Sequence, residues 1–174
     1  DMHILPRFEQ LAAQSQVLAD VAQDDCDAAS PALTVAYGAA FDAWIGVSHL
    51  RFGPTEVDDR AFALAFWPDS RGVTPRSLLS LIASEDPIGL NTDDYTDVSI
   101  AARGFYALEF LLYDDTVAVA GSDIYRCALI RTITTDIAAT TRAINADWHD
   151  TYADQLRHPS ATGVYRDQEE AAQE

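Results

Sequence analysis

One carboxylate, that of Glu109, lies in the middle of the most apolar run of the sequence, ARGFYALEFLLYDD. In a helix, residues three and four positions apart share a face, so Phe105 and Leu112 are expected on the same side as Glu109. Tyr106 lies three positions before it. The pattern therefore predicts that Glu109 is buried or half-buried. An ionised carboxylate in such a place is costly unless a cation, a metal or several hydrogen-bond donors satisfy it.

The identity of that partner separates a structural role for Glu109 from a functional one. A structural role would be an internal ion pair or a hydrogen bond from a tyrosine hydroxyl; the arginines considered are Arg51, Arg126 and Arg131. A functional role would make Glu109 a metal ligand or a general base in a cleft between helices, where helical bundles commonly build such sites. Spacing alone does not decide between the two.

Three further side chains could reach the Glu109 region. His49, near the end of a helix, is a candidate metal ligand, with a helix-end or hydrogen-bonding role as the alternative. Arg51 and Arg71 could neutralise Glu109 or hold an anionic ligand with two hydrogen bonds, although both also have structural explanations. The remaining histidines are expected to face solvent: His3, His149 and His158.

The periodicity of the apolar residues predicts helices and no strand, which makes the chain an all-α protein with a bundle architecture. Ser30 and Pro31 form an N-cap and first-turn pair, and Gly53 with Pro54 is expected to end that helix. The residues between the third and fourth helices, and those after Pro54, are expected to be loops. The predicted helices span residues 3–24, 31–50, 74–84, about 96–113 and 123–158.

The chain length fits one domain. We expect the bundle to occupy residues 1–157 and a linker with the start of a further helix to occupy residues 158–174. The last ten residues, YRDQEEAAQE, begin a helix that stops after two turns without completing an apolar face. This pattern predicts that the chain is incomplete and forms half of something larger.

The charge balance excludes one class of partner. The chain has 28 acidic residues against 11 basic ones, for a net charge of −17, and every base is an arginine. Nucleic acid is bound by clustered basic residues, and no such cluster occurs, so a nucleic-acid partner is not expected. The uncharged stretches are too short to cross a bilayer, which needs about 20 apolar residues, so no transmembrane span is expected.

Two cysteines, Cys26 and Cys127, are too far apart in sequence for a zinc motif. They could form a disulfide in an oxidising compartment, or they could be two separately buried thiols.

Four segments resemble the imelysin-like family: HILPRFEQLA, AFDAWIGVSHLRFGP, FWPDSRG and RGFYALEFLLYD. That family is named for a bacterial insulin-cleaving protease and includes periplasmic proteins of iron uptake. The resemblance extends from residue 3 to about residue 157. It implies an all-helical protein, periplasmic or lipid-anchored at the surface, built from two related halves. This chain corresponds to the N-terminal half, and a missing C-terminal half is expected to pack against it.

The motif of the family, Gly-x-His-x-x-Glu, is thought to bind a metal. Here Gly104 and Glu109 match, but Tyr106 occupies the histidine position. A zinc site of the protease kind has thereby lost a principal ligand. Tyr106 could bind ferric iron as a phenolate beside Glu109, or it could donate a hydrogen bond to Glu109 in a metal-free site. Other motif residues have structural explanations, because Trp67 is expected to be an apolar anchor, as is Trp44, and Pro68-Asp69 to fix a turn.

These observations favour a binding protein over an enzyme. The first hypothesis is a periplasmic or surface protein of iron or other metal acquisition that holds a metal or another ligand in a cleft centred on Gly104, Tyr106 and Glu109. The second is a metallopeptidase in which Glu109 is a ligand or general base. The third is a surface module that retains the fold without a metal or any cofactor.

Overall fold

The computed structural model describes residues 4–171 and residue 173. That part of the chain contains helices and no strand, so the predicted all-α bundle is confirmed. None of its helices has the length and apolar character needed to cross a membrane. The helices are α1 (Ile4–Asp24), α2 (Pro31–Ile45), α3 (Arg60–Leu64), α4 (Val73–Ser84), α5 (Gly104–Tyr113), α6 (Asp123–Asp147), α7 (Ala153–Arg157) and α8 (Gln168–Ala171).

Short 3₁₀ turns lie in two of the connections between these helices, from α2 to α3 and from α4 to α5. The 3₁₀ turns are Gly53–Thr55, Val57–Asp59, Pro87–Leu90, Tyr95–Asp97 and Ile100–Ala102. The fifth predicted helix continues beyond α6 through a π-helical segment, Trp148–Tyr152, and then through α7. The predicted sixth helix is represented by the four residues of α8, while Ala172 and Glu174 lie outside the described residues.

The two longest helices, α1 and α6, run antiparallel and form the spine of the bundle. Their apolar faces meet in the core, where Phe8, Leu18 and Ile133 are fully buried. Three polar contacts also join α1 to α6 and its continuation. His149 Nε2 lies 2.9 Å from Glu9 Oε1, and Arg142 Nη2 donates to Gln16 Oε1 at 2.9 Å. Arg131 Nη2 donates to the carbonyl oxygen of Gln23 at 3.0 Å.

A disulfide joins Cys26, just after α1, to Cys127 in the second turn of α6, with the two Cα atoms 5.0 Å apart. It closes a loop of 101 residues in sequence separation, the kind of constraint that restricts the unfolded chain most in the chain-entropy model. The structure contains no free cysteine among its described residues.

The second helix begins where the sequence predicts and ends earlier. The Ser30 hydroxyl accepts a hydrogen bond from the Leu33 amide at 3.4 Å, and Pro31 occupies the first turn. The helix stops at Ile45 instead of Leu50 because the chain passes into turns at Gly46.

Helix α5 begins at Gly104, eight residues later than predicted. Gly104 has a φ of +74°, a conformation that costs little only for glycine. A Cβ atom at this position would overlap the carbonyl oxygens of Ala63 and Leu64, at the end of α3. The close approach of these two backbones sets the start of α5, and the residues before it form the 3₁₀ turns Tyr95–Asp97 and Ile100–Ala102.

Candidate functional site

Helix α5 turns one face to the core and another to a cleft. The core face consists of buried residues: Gly104, Phe105, Ala107, Leu108, Leu111 and Leu112. The cleft face carries Tyr106, Glu109, Phe110 and Tyr113, which have helical spacing. Glu109 is exposed on this second face, so the prediction that it is buried or half-buried is wrong. Positions 105 and 109 are about 40° apart around a helix, which is enough to carry Glu109 past the edge of the apolar face.

The cleft has a volume of about 640 Å³ and lies between α5 and the loop that precedes α4. Its aromatic lining residues are Phe66, Trp67, Tyr106, Phe110 and Tyr113, and its acidic ones are Asp69, Glu109 and Asp114. The volume is within the range of small-molecule sites, about 300–1,000 Å³. Tyr106 and Glu109, the predicted site residues, line this cleft together with Trp67 and Asp69, which were expected to have structural roles.

Two of the three carboxylates are committed to the backbone. Asp69 Oδ1 accepts a hydrogen bond from the Val73 amide at 2.7 Å, and its Oδ2 accepts one from the Thr74 amide at 2.8 Å. Asp114 Oδ1 accepts from the amides of Thr116 and Val117, each at 2.9 Å. Glu109 forms no hydrogen bond or ion pair with any described residue. It is therefore the carboxylate that is free to meet a ligand.

Asp69 serves as the cap of α4 because Gly72, the residue before the helix, has no side chain to offer. Burial of its carboxyl would by itself raise the pKa, but the hydrogen bonds from the Thr74 and Val73 amides outweigh it and hold the pKa of Asp69 below its usual value. The prediction that Pro68-Asp69 fixes a turn agrees with this geometry. The Trp67-Pro68 peptide bond is cis.

We expect Asp69→Ala to lower the free energy of unfolding by about 1 kcal/mol near neutral pH, because two helix-terminal amides lose their acceptor. Because the folded-state pKa is lowered, the stability gained from the ionised carboxylate is fully present above the pKa of the unfolded state and is lost as the pH falls through the folded pKa. Urea unfolding of the wild type and Asp69→Ala should show a gap in the free energy of unfolding that narrows as the pH falls through the folded pKa. A gap that stayed constant on acidification would contradict the assignment.

The Glu109 carboxylate lies close enough to α2 to influence a buried tyrosine. Burial raises the pKa of Tyr37, and the negative charge of Glu109 raises it further. The Tyr37 ring contacts that of Tyr113 with centroids 5.9 Å apart, and its hydroxyl donates to the carbonyl oxygen of Phe105 at 3.4 Å. The Tyr37 side chain, packed against Tyr113, therefore lies close to Glu109 on the α2 side of the cleft.

Trp67 is not the buried anchor that the sequence predicts, because 67% of its surface is exposed. Its ring contacts that of Tyr106 with centroids 5.9 Å apart and an interplanar angle of 44°. Trp44, by contrast, is buried as predicted and stacks on Phe105. The exposure of Trp67 is explained by its position in a loop at the cleft, beyond the end of α3.

The arginines considered as partners of Glu109 are engaged elsewhere. Arg51 Nε lies 2.6 Å from Glu56 Oε1, and its guanidinium lies over the Phe62 ring. Arg126 pairs with Asp123, and Arg131 donates to carbonyl oxygens at the end of α1. Arg71 is exposed and forms no ion pair with the residues that the structure describes.

The histidines do not complete the site. His49 is exposed beyond the end of α2 and does not line the cleft, so the structure does not bring it to Glu109. His149 and His158 are exposed, as predicted. His3 lies outside the described residues.

A buried ion pair near the site escaped the sequence analysis. Arg103, the residue before Gly104, donates through Nε to Asp136 Oδ2 at 3.0 Å and through Nη2 to Asp136 Oδ1 at 2.7 Å. The exposed fractions of the two side chains are 11% and 7%. Asp136 lies in α6 between Ile133 and Ile137, so an acid in an apolar stripe was the signal that could have revealed it.

The donors present in the cleft do not fit a complete metal site. Within residues 4–171 and 173, no three His, Cys, Asp or Glu side chains are grouped so that they could hold a metal ion. Asp69 and Asp114 already accept backbone hydrogen bonds, which leaves Glu109 and the Tyr106 phenol. A structural or catalytic zinc site needs at least three protein ligands.

These features define an all-helical protein with an acidic, aromatic cleft at one face of its bundle. The imelysin family model matches residues 4–174, and the chain belongs to the imelysin family. A solved imelysin-like protein from Psychrobacter arcticum 273-4 has a similar structure, with a TM-score of 0.75 and 22% sequence identity. The match covers 88% of this chain and 48% of that protein, so the chain spans about half the length of this relative. Comparison with curated proteins gives no match.

Proposed function

We propose that this chain is a binding module of the imelysin family that holds a small ligand in the cleft between α5 and the loop before α4. The observation that carries the proposal is the unpaired Glu109 carboxylate in a cleft with five aromatic lining residues. A cleft lined mainly by aromatic side chains with a few polar groups is typical of ligand-binding sites. Binding needs no further catalytic group, whereas a peptidase would need the histidine that Tyr106 replaces.

Iron is the second candidate ligand, because Tyr106 and Glu109 lie one helical turn apart in this cleft and both offer the oxygen donors that hard cations prefer. Two donors are too few, so further ligands would come from outside the described residues. We propose that a second helical half, of the kind that the relative's greater length suggests, packs against this chain and contributes them. We also propose a periplasmic or surface location, with a role in metal uptake if iron is the ligand; the disulfide supports an oxidising compartment.

The two candidates can be separated in one titration series on isotope-labelled protein. A set of neutral and charged fragment molecules should shift amide signals of residues 66–74 and 106–114 in two-dimensional NMR spectra. Ferric nitrilotriacetate should, if iron is the ligand, produce a visible tyrosinate absorption that Tyr106→Phe removes and Tyr113→Phe keeps.

The groove beside the disulfide, with a volume of about 420 Å³, provides an internal comparison. Fragment shifts that clustered there, or that were spread over the whole surface, would show that the cleft at Glu109 is not the binding site.

A further inference from the structure

The aromatic lining of the cleft presents two rings at an angle to one another. The centroids of Trp67 and Tyr106 are 5.9 Å apart, and their planes are inclined by 44°. Tyr106 is also in edge contact with Phe41, whose ring centroid is 5.9 Å away. Phe41 of α2 therefore packs against the same Tyr106 ring that contacts Trp67. The two inclined rings of Trp67 and Tyr106 form a corner against which a ligand can pack.

The charged residues that line the cleft are all acidic. Its lining contains three carboxylates and no arginine or histidine among the residues that the structure describes. Arg71 lies in the adjacent loop and is exposed, so it offsets at most one of the three charges. The whole chain carries a net charge of −17, which adds to the negative potential. Anionic ligands are therefore disfavoured, and cations are favoured.

The kind of cation follows from the balance between rings and oxygen donors. A small metal ion is strongly hydrated and needs several oxygen or nitrogen ligands, whereas Glu109 and Tyr106 supply two. An organic ammonium ion is weakly hydrated, and its charge is attracted by the faces of tryptophan and tyrosine rings. A volume of about 640 Å³ is also far larger than a single metal ion requires.

We propose that the cleft binds an organic cation with a substituted ammonium head, which packs against Trp67 and Tyr106 and pairs with Glu109. This inference rests on the proposed function, because it names the chemical class of the ligand for the same cleft. Asp69 and Asp114 contribute charge at a distance, since their oxygens are held by backbone amides.

A matched pair of probes tests the charge of the ligand separately from its shape. Choline carries a trimethylammonium group, and 3,3-dimethylbutan-1-ol has the same shape with a neutral carbon in place of the nitrogen. Binding can be followed by NMR and by the fluorescence of Trp67, because Trp44 and Trp148 are only 3% and 1% exposed. We expect choline to bind at least about fivefold more tightly than the alcohol.

Substitutions in the cleft test which of its residues cause the preference for choline over the neutral alcohol. Glu109→Gln should weaken choline binding about threefold or more and leave the alcohol unaffected, because an exposed carboxylate attracts only the cation. Trp67→Leu should weaken choline binding by a similar factor, and the binding to this variant is measured by NMR. Asp150→Asn, which removes an exposed charge outside the cleft, should change neither probe.

Each outcome supports or overturns a defined statement. Equal affinity of the two probes within the cleft would overturn the organic cation and leave the binding site in place. Choline binding that Asp150→Asn weakens as much as Glu109→Gln would also overturn it, since attraction by the acidic surface would then suffice. If neither these probes nor the fragment set shifted cleft signals, the proposed function itself would fall.

Discussion

Gly104→Ala is expected to lower the free energy of unfolding by about 3 kcal/mol or more. The φ of +74° would strain any residue with a Cβ, and the added methyl would overlap two carbonyl oxygens at the end of α3. Both carbonyl oxygens belong to the backbone, so they cannot move away by a rotamer change as the end of a flexible side chain can. Relief would require α3 and α5 to separate, and this would disturb the wall of the cleft.

Gly38→Ala is the matched control for this substitution. Gly38 lies within α2, and a Cβ there would have no atom within 4 Å. Because alanine favours helix more than glycine, this variant should be neutral or up to about 1 kcal/mol more stable. Urea unfolding of both variants measures the difference. A Gly104→Ala protein as stable as wild type would mean that the glycine of the motif has no packing role.

Asp136→Asn is expected to destabilise the fold by about 3–5 kcal/mol, because it leaves the Arg103 guanidinium buried without its counter-charge. The pair has two hydrogen bonds, and both side chains are at most 11% exposed. Replacing both residues, as Arg103→Met with Asp136→Leu, should recover most of that loss, since no buried charge then remains. Denaturant unfolding of the two single variants and the double variant gives the coupling free energy.

The exposed pair of Arg51 and Glu56 provides the comparison. Its side chains are 40% and 42% exposed, so water already solvates both charges. Glu56→Gln should therefore change the free energy of unfolding by less than about 1 kcal/mol. If Asp136→Asn had an equally small effect, the Arg103 pair would be too hydrated to organise the segment before α5.

The sequence predicts the helices well where a local signal marks their ends. Ser30 with Pro31 and Ser122 with Asp123 are such signals, and both helices begin there. The start of α5 could not be predicted in this way, because it depends on contact between Gly104 and the carbonyl groups of α3, some 40 residues earlier in the chain. The periodicity of apolar residues describes one helix at a time and carries no information about contacts between distant helices.

The candidate site, too, was predicted only where a local sequence signal marks it. The motif identified Tyr106 and Glu109 of the cleft but not Phe66, Phe110 or Tyr113. Glu109 was placed on the wrong side of α5, and Trp67 was expected to be buried. An acid flanked by apolar residues is a sound indication of burial, and it holds for Asp136, which lies among isoleucines of α6. It does not hold for Glu109, because position 109 lies about 40° around α5 from the buried position 105, on the face that lines the cleft.

The covalent link between Cys26 and Cys127 determines how the two longest helices can move apart. It fastens them at one end of their antiparallel pair, beside the C-terminus of α1 and the N-terminus of α6. Any splaying of the pair must therefore pivot about that fastening, with the largest displacement at the far end, where Phe8 stacks on Trp148. We therefore expect the separation of α1 and α6 on heating to begin at that far end, where the fluorescence of Trp148 would report it.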